Sequence, residues 1–121
     1  MGKKPELLAP AGTMEKLQMA LVYGADAAYL GGEQFGLRAF GGNFTNDEIR
    51  SAVQLAHGAG KKIYVTVNVF PHNDDLVSLP DYLRTLSEAE VDAVLVADLG
   101  VFMLAREVAP QLPVHISTQA N

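Results

Sequence analysis

Short apolar runs alternate along the chain with stretches in which apolar residues recur every three or four positions, a rhythm that predicts strand and helix in turn. Glu6-Leu7-Leu8-Ala9 reads as a first strand, followed by the turn Pro10-Ala11-Gly12. Thr13 is then an N-cap for a helix to about Tyr23, with Met14, Leu17 and Leu21 on one face and Gly24 closing it. A second strand, Ala27-Ala28-Tyr29-Leu30, runs into Gly31-Gly32 and a long glycine-containing loop that ends at Phe44. Thr45-Asn46-Asp47-Glu48 has the form of a capping box, and Ile49, Ala52, Val53 and Ala56 follow at helical spacing until Gly58 and Gly60.

The third strand is the most β-branched stretch, Ile63-Tyr64-Val65-Thr66-Val67-Asn68, followed by the polar turn Pro71-His72-Asn73-Asp74-Asp75. Pro80 fits the first turn of a helix reaching Glu88. Ala93-Val94-Leu95-Val96-Ala97 is apolar throughout, as in a strand buried on both faces. Asp98 can cap a helix through Ala109, and Val114-His115-Ile116-Ser117-Thr118 is a fifth strand.

This alternation predicts an α/β fold with a parallel sheet and right-handed crossovers. The strand faces choose between an open sheet and a barrel. Ile63, Val65 and Val67 share one side of the third strand, and Tyr64, Thr66 and Asn68 the other. In the fifth, Val114 and Ile116 oppose His115, Ser117 and Gln119. One apolar face under helices and one polar face suits a TIM-barrel-like (β/α) fold with a functional lumen. The strands begin near Glu6, Asp26, Lys62, Ala93 and Val114, a repeat of about 27 residues, so eight units need about 220. Residues 1–121 are therefore expected to be the first half of such a barrel, about four and a half βα units, truncated relative to the full-length protein.

Composition narrows the chemistry. With 49% hydrophobic and 19% charged residues the chain is too apolar for intrinsic disorder. It has no cysteine, so within these residues a disulfide framework, a thiolate zinc site, a cysteine nucleophile and an iron–sulfur centre are excluded. The nine basic residues against fourteen acidic ones are scattered, without the clustered footprint of a nucleic-acid surface. Asp26 and Asp98 interrupt the two most apolar stretches, so no membrane span is expected, and the short Leu7-Leu8-Ala9 core is too small for a secretion signal. The expected address is cytoplasmic.

In a barrel the site lies where strands end and helices begin. Those ends place Glu33, Arg38, Asn68, His72, Asp98, Ser117, Gln119 and Asn121 as candidate substrate-binding residues. Glu33 and Arg38 occupy a loop longer than the usual two to six residues, and the arginine fork suits phosphate or carboxylate. Asp98 reads equally well as a helix cap, and His72 as part of a polar turn. His57 reads as a helix C-terminal histidine set against the dipole. There is no Ser-His-Asp order, no two-His metal spacing, no dinucleotide fingerprint and no Walker lysine. No metal site and no catalytic residue is assigned.

Several blocks are more specific. Pro10-Ala11-Gly12 before a helix, Tyr23-Gly24-Ala25-Asp26-Ala27-Ala28-Tyr29-Leu30-Gly31-Gly32, Phe35, Arg38 and Asn43-Phe44 resemble the opening of the collagenase-like peptidase family U32. Gly60-Lys61-Lys62-Ile63-Tyr64-Val65-Thr66-Val67-Asn68, Val91-Asp92-Ala93 and His115-Ile116-Ser117-Thr118-Gln119-Ala120-Asn121 extend the resemblance over nearly the whole chain. The resemblance implies a larger protein with a barrel-like N-terminal region and a later cysteine-bearing signature. It also implies either endopeptidase activity or hydroxylation of a tRNA wobble uridine or an rRNA cytidine, and in some members ubiquinone hydroxylation with an iron–sulfur cluster. Such a cluster needs cysteines absent here, so no cofactor is assigned to these residues. Hydrogen-bonding groups in the lumen suit substrate positioning better than bond cleavage. Through the resemblance, RNA base hydroxylation is the expected activity, although the redox source it needs is not among these residues, with proteolysis as the alternative and a non-enzymatic half-barrel fragment as the third reading. The expected partners are an RNA or peptide substrate and, through open sheet edges, a second copy of the chain.

Overall fold

The computed structural model describes residues 6–32, 44–67 and 75–116. Strands and helices alternate as β1 (Leu8–Pro10), α1 (Met14–Val22), β2 (Ala27–Gly31), α2 (Asn46–Gly58), β3 (Lys62–Val67), α3 (Asp75–Glu88), β4 (Ala93–Val96), α4 (Leu99–Val108) and β5 (Val114–Ile116). The sheet is wholly parallel, with its strands in chain order from β1 to β5.

Local chemistry accounts for the boundaries. Thr13 Oγ1 accepts from the Lys16 N–H at 3.1 Å and starts α1. Thr45 and Glu48 form the reciprocal capping box at α2, with Glu48 N–H donating to Thr45 Oγ1 at 3.1 Å and Thr45 N–H to Glu48 Oε1 at 2.9 Å. Helices α1, α2 and α3 are each followed by a residue at positive φ before the next strand: Gly24 at 98°, Gly60 at 75° and Glu90 at 65°.

The core lies between the sheet and its helices. Ala28, Leu30, Ile63, Val65, Val67, Val94 and Val96 supply the sheet side. They form one buried cluster with Leu17 of α1, Ile49, Ala52, Val53 and Ala56 of α2, Leu79, Leu83 and Leu86 of α3, and Val101 and Ala105 of α4. The opposite face carries Tyr29, Tyr64, Thr66 and Leu95, all half-buried, and exposed His115. Register aligns Pro10, Tyr29, Tyr64 and Ala93 in one row and Gly31, Thr66, Leu95 and His115 in the next. The two-faced strands predicted from alternation are thus present.

Two expectations, on Pro80 and on Ile116, need correction, and the reading of His57 gains a partner. The third helix begins at Asp75, and Pro80 lies inside it instead of in its first turn. Proline there removes only the hydrogen bond to the Leu76 carbonyl, close to the helix start, and the buried side chains Leu79, Tyr82, Leu83 and Leu86 hold the segment against the sheet. His57 does lie in the last turn of α2, but its ring also meets the Asp92 carboxylate, Nε2 to Oδ2 at 2.8 Å. Ile116 is exposed at 41%, although alternation assigns it to the apolar face. Among the described residues β5 is an edge strand, and no helix covers its end.

Candidate site at the strand ends

All five strands point the same way, so their C-terminal ends share one rim. Of the eight candidate residues, the structure describes Asp98. Glu33, Arg38, Asn68, His72, Ser117, Gln119 and Asn121 lie outside the described residues. Asp98 follows β4 with extended backbone and caps α4, its Oδ2 accepting from the Val101 N–H at 3.0 Å. A Cβ added to Gly100 would come within 3.0 Å of that oxygen, so the glycine leaves the carboxylate room to cap. The capping role read from the sequence is therefore realised.

At the rim of β2 the chain is fastened. Phe44 N–H donates to the Gly31 carbonyl at 2.8 Å, and Phe44 bridges Gly32 in parallel. The Phe44 ring is buried, and it immediately precedes the capping box of α2. Gly32 and Phe44 are thus held side by side.

Deeper in the concave face lies a polar cluster. Tyr64 O–H donates to the Glu6 carboxylate, 3.1 Å to Oε1 and 3.2 Å to Oε2, and Lys62 Nζ lies 3.9 Å from Glu6 Oε2. The Tyr64 and His115 rings are tilted by 58° with centroids 6.3 Å apart. Thr66 Oγ1 donates to the Leu30 carbonyl at 3.2 Å. Burial, then the hydrogen bond to Glu6, then the negative charges of Glu6 and Asp92 push the Tyr64 phenol up to about 12. Tyr64 and His115 were legible as lumen residues from strand parity. Glu6 was not, because it precedes β1 and meets Tyr64 only through the fold.

Among the described residues there is no group of three metal-ligating side chains. The 121 residues contain no cysteine, so this stretch does not fit the thiolate ligation of an iron–sulfur cluster. No helix among the described residues is long and apolar enough to cross a membrane. What the concave face offers is hydrogen-bonding groups, ring faces and charge.

Parallel order, a helix-covered convex face and a polar concave face define the class as a (β/α) barrel, here as five consecutive strands. Two solved structures share this fold. The U32 peptidase Mk0906 superposes with a TM-score of 0.66 at 19% identity, over 96% of this chain and 49% of that one. The YdjI aldolase from Escherichia coli K12 superposes with a TM-score of 0.60 at 18% identity, over 89% of this chain and 43% of that one. The sequence pattern of Peptidase family U32 matches residues 12–121, and the chain belongs to that family.

Among curated relatives, tRNA hydroxylation protein P1 of Bacillus subtilis (strain 168) is 51% identical over 119 residues, covering 98% of this chain and 28% of the relative. The Collagenase of Porphyromonas gingivalis (strain ATCC BAA-308 / W83) is 32% identical over 117 residues, 96% of this chain and 28% of that protein. The chain thus spans just over a quarter of the length of these relatives.

Proposed function

We propose that this chain is the N-terminal part of a barrel protein that hydroxylates a pyrimidine base of RNA, a tRNA wobble uridine or an rRNA pyrimidine. The observation that carries this reading is the 51% identity, over almost every residue, with a relative named tRNA hydroxylation protein P1. In this reading the remaining strands of the barrel lie beyond residue 121. The present residues bind and orient the substrate, with Glu33, Arg38, Asn68, His72, Asp98, Ser117, Gln119 and Asn121 at the C-terminal rim and Arg38 on an anionic substrate group. Placing oxygen on a base carbon needs an oxidant, and that part of the chemistry belongs to the rest of the protein.

The second reading is a collagenase-like endopeptidase, favoured by the 32% identity to a protein named Collagenase. We also place the protein in the cytoplasm, where a tRNA substrate resides. As an isolated segment, the chain pairs with a second copy through β1 and β5, each of which has a strand partner on one side only among the described residues.

The deciding experiment is mass spectrometry of tRNA and rRNA nucleosides after deletion of the full gene. Loss of a hydroxylated pyrimidine supports the reading. Unchanged nucleosides together with loss of a defined peptide-cleaving activity replace it with the peptidase.

A further inference from the structure

Tyr82 stands on α3, far from Gly32 in sequence, yet its phenol lies directly against the Gly32 backbone. A Cβ built on Gly32 would overlap the Tyr82 hydroxyl and come within 2.8 Å of Cζ. Only a residue without a side chain fits under that ring. The Tyr82 side chain is buried, 2% exposed, in a core otherwise made of aliphatic residues and Phe44. Packing alone is satisfied by Leu or Phe on such a helix face. A phenol adds a hydroxyl, and that hydroxyl lies against the end of β2.

Three elements meet at this point: the end of β2 at Gly31-Gly32, the lead-in to α2 at Phe44, and α3 at Tyr82. The Phe44 N–H to Gly31 carbonyl bond and the Gly32–Phe44 bridge join the first two, and Tyr82 presses the third onto them. This contact lies on the rim where a barrel binds its substrate.

We propose that Tyr82 is a positioning residue for substrate binding. By bearing on Gly32 it fixes the junction of β2 and α2 at the rim, where Gly32 and Phe44 lie side by side. The inference rests on the rim-binding reading given under Proposed function. It predicts that Tyr82 acts on substrate affinity while making no contact with the substrate.

The test uses the full-length protein and three variants: Tyr82→Phe, Gly32→Ala, and Gly32→Ala combined with Tyr82→Leu. Steady-state hydroxylation of tRNA, thermal melting and amide exchange at Phe44 are measured on each. In Tyr82→Phe, faster exchange at Phe44 and a KM for tRNA raised by about threefold or more are expected, with kcat and the melting curve nearly unchanged. Gly32→Ala is expected to lose more, and the added Tyr82→Leu change to restore part of the loss, because the two sites share one space. A Tyr82→Phe protein with wild-type exchange and wild-type KM overturns the proposal, as does a Gly32→Ala defect that Tyr82→Leu leaves untouched. Wild-type protein inactive on tRNA fails the functional reading instead, and Phe44 exchange together with the melting-curve rescue then decides the contact alone.

Discussion

Asp26 and Asp92 occupy equivalent positions at the starts of β2 and β4, and each closes a reciprocal pair with the strand before it. Asp26 Oδ2 accepts the Leu7 N–H at 2.8 Å while the Asp26 N–H donates to the Leu7 carbonyl at 2.8 Å. Asp92 Oδ2 accepts the Ile63 N–H at 2.7 Å while the Asp92 N–H donates to the Ile63 carbonyl at 2.8 Å. Each aspartate therefore ties the N-terminal end of its strand to its neighbour, opposite the rim that holds the candidate site. Asp92 is 26% exposed and also meets His57, whereas Asp26 is 51% exposed. Asp92→Ala is accordingly expected to cost about 1–3 kcal/mol in denaturant unfolding and Asp26→Ala less, since water can satisfy the Leu7 N–H more readily. Equal costs would remove the burial argument.

Tyr64 makes stability depend on pH at the alkaline end. Its phenol is raised from 10.0 to about 12 by burial and by Glu6, so the fold holds the proton more tightly than the unfolded chain does. The stabilisation is complete below pH 10 and is lost as pH rises from about 10 to about 12. Over that window the melting temperature of the wild type should fall more steeply than that of Tyr64→Phe. Parallel curves would show that the fold holds the Tyr64 proton no more tightly than the unfolded chain does.

Asp98 can be separated into cap and site by two substitutions. Asp98→Ala should cost about 1 kcal/mol through loss of the bond to Val101, and Asp98→Ser should keep most of it. If product is lost in both variants of the complete protein while the serine variant melts normally, Asp98 contributes to substrate binding. Arg38→Ala and Gln119→Ala in the same protein should lower product with unchanged melting. A matching loss of stability would return them to structural roles.

The order and type of the elements were legible because local chemistry decides them. The capping box at Thr45 and Glu48, the alternation in β3 and the glycines after α1 and α2 each act over a few residues. What escaped was made by contacts distant in sequence. Asp92 offers no local sign of its bond to Ile63 or of its meeting with His57, and nothing near Tyr82 announces Gly32. Pro80 misled because a proline usually marks a helix start, whereas here tertiary packing outweighs one missing hydrogen bond. Of the candidate site, Asp98 alone falls within the described residues.

Glu90 holds a positive φ where the junctions after α1 and α2 use glycine. Relief of that backbone strain should make Glu90→Gly more stable by about 0.5–1 kcal/mol after the added freedom of the unfolded glycine is deducted. Denaturant titration with an unchanged m-value checks this, and a destabilised variant would mean that the glutamate side chain contributes more than its backbone costs.

The isolated 121 residues should associate through β1 and β5. Static light scattering across a concentration series is expected to give a mass rising toward that of a dimer. A strictly monomeric, cooperatively melting species would show that both edges are already covered.

The in-order parallel sheet also bears on how the chain is made. Every strand from β2 onward finds its first partner in the strand already synthesised, so each new helix and strand can dock as it leaves the ribosome, with no need to wait for distant sequence. Loop closure at each step spans one crossover only, less than pairing between strands further apart in the chain would require. Vectorial growth of this kind leaves a single templating edge exposed at the advancing strand, together with the β1 edge left from the start, and the period of exposure is set by the rate of translation.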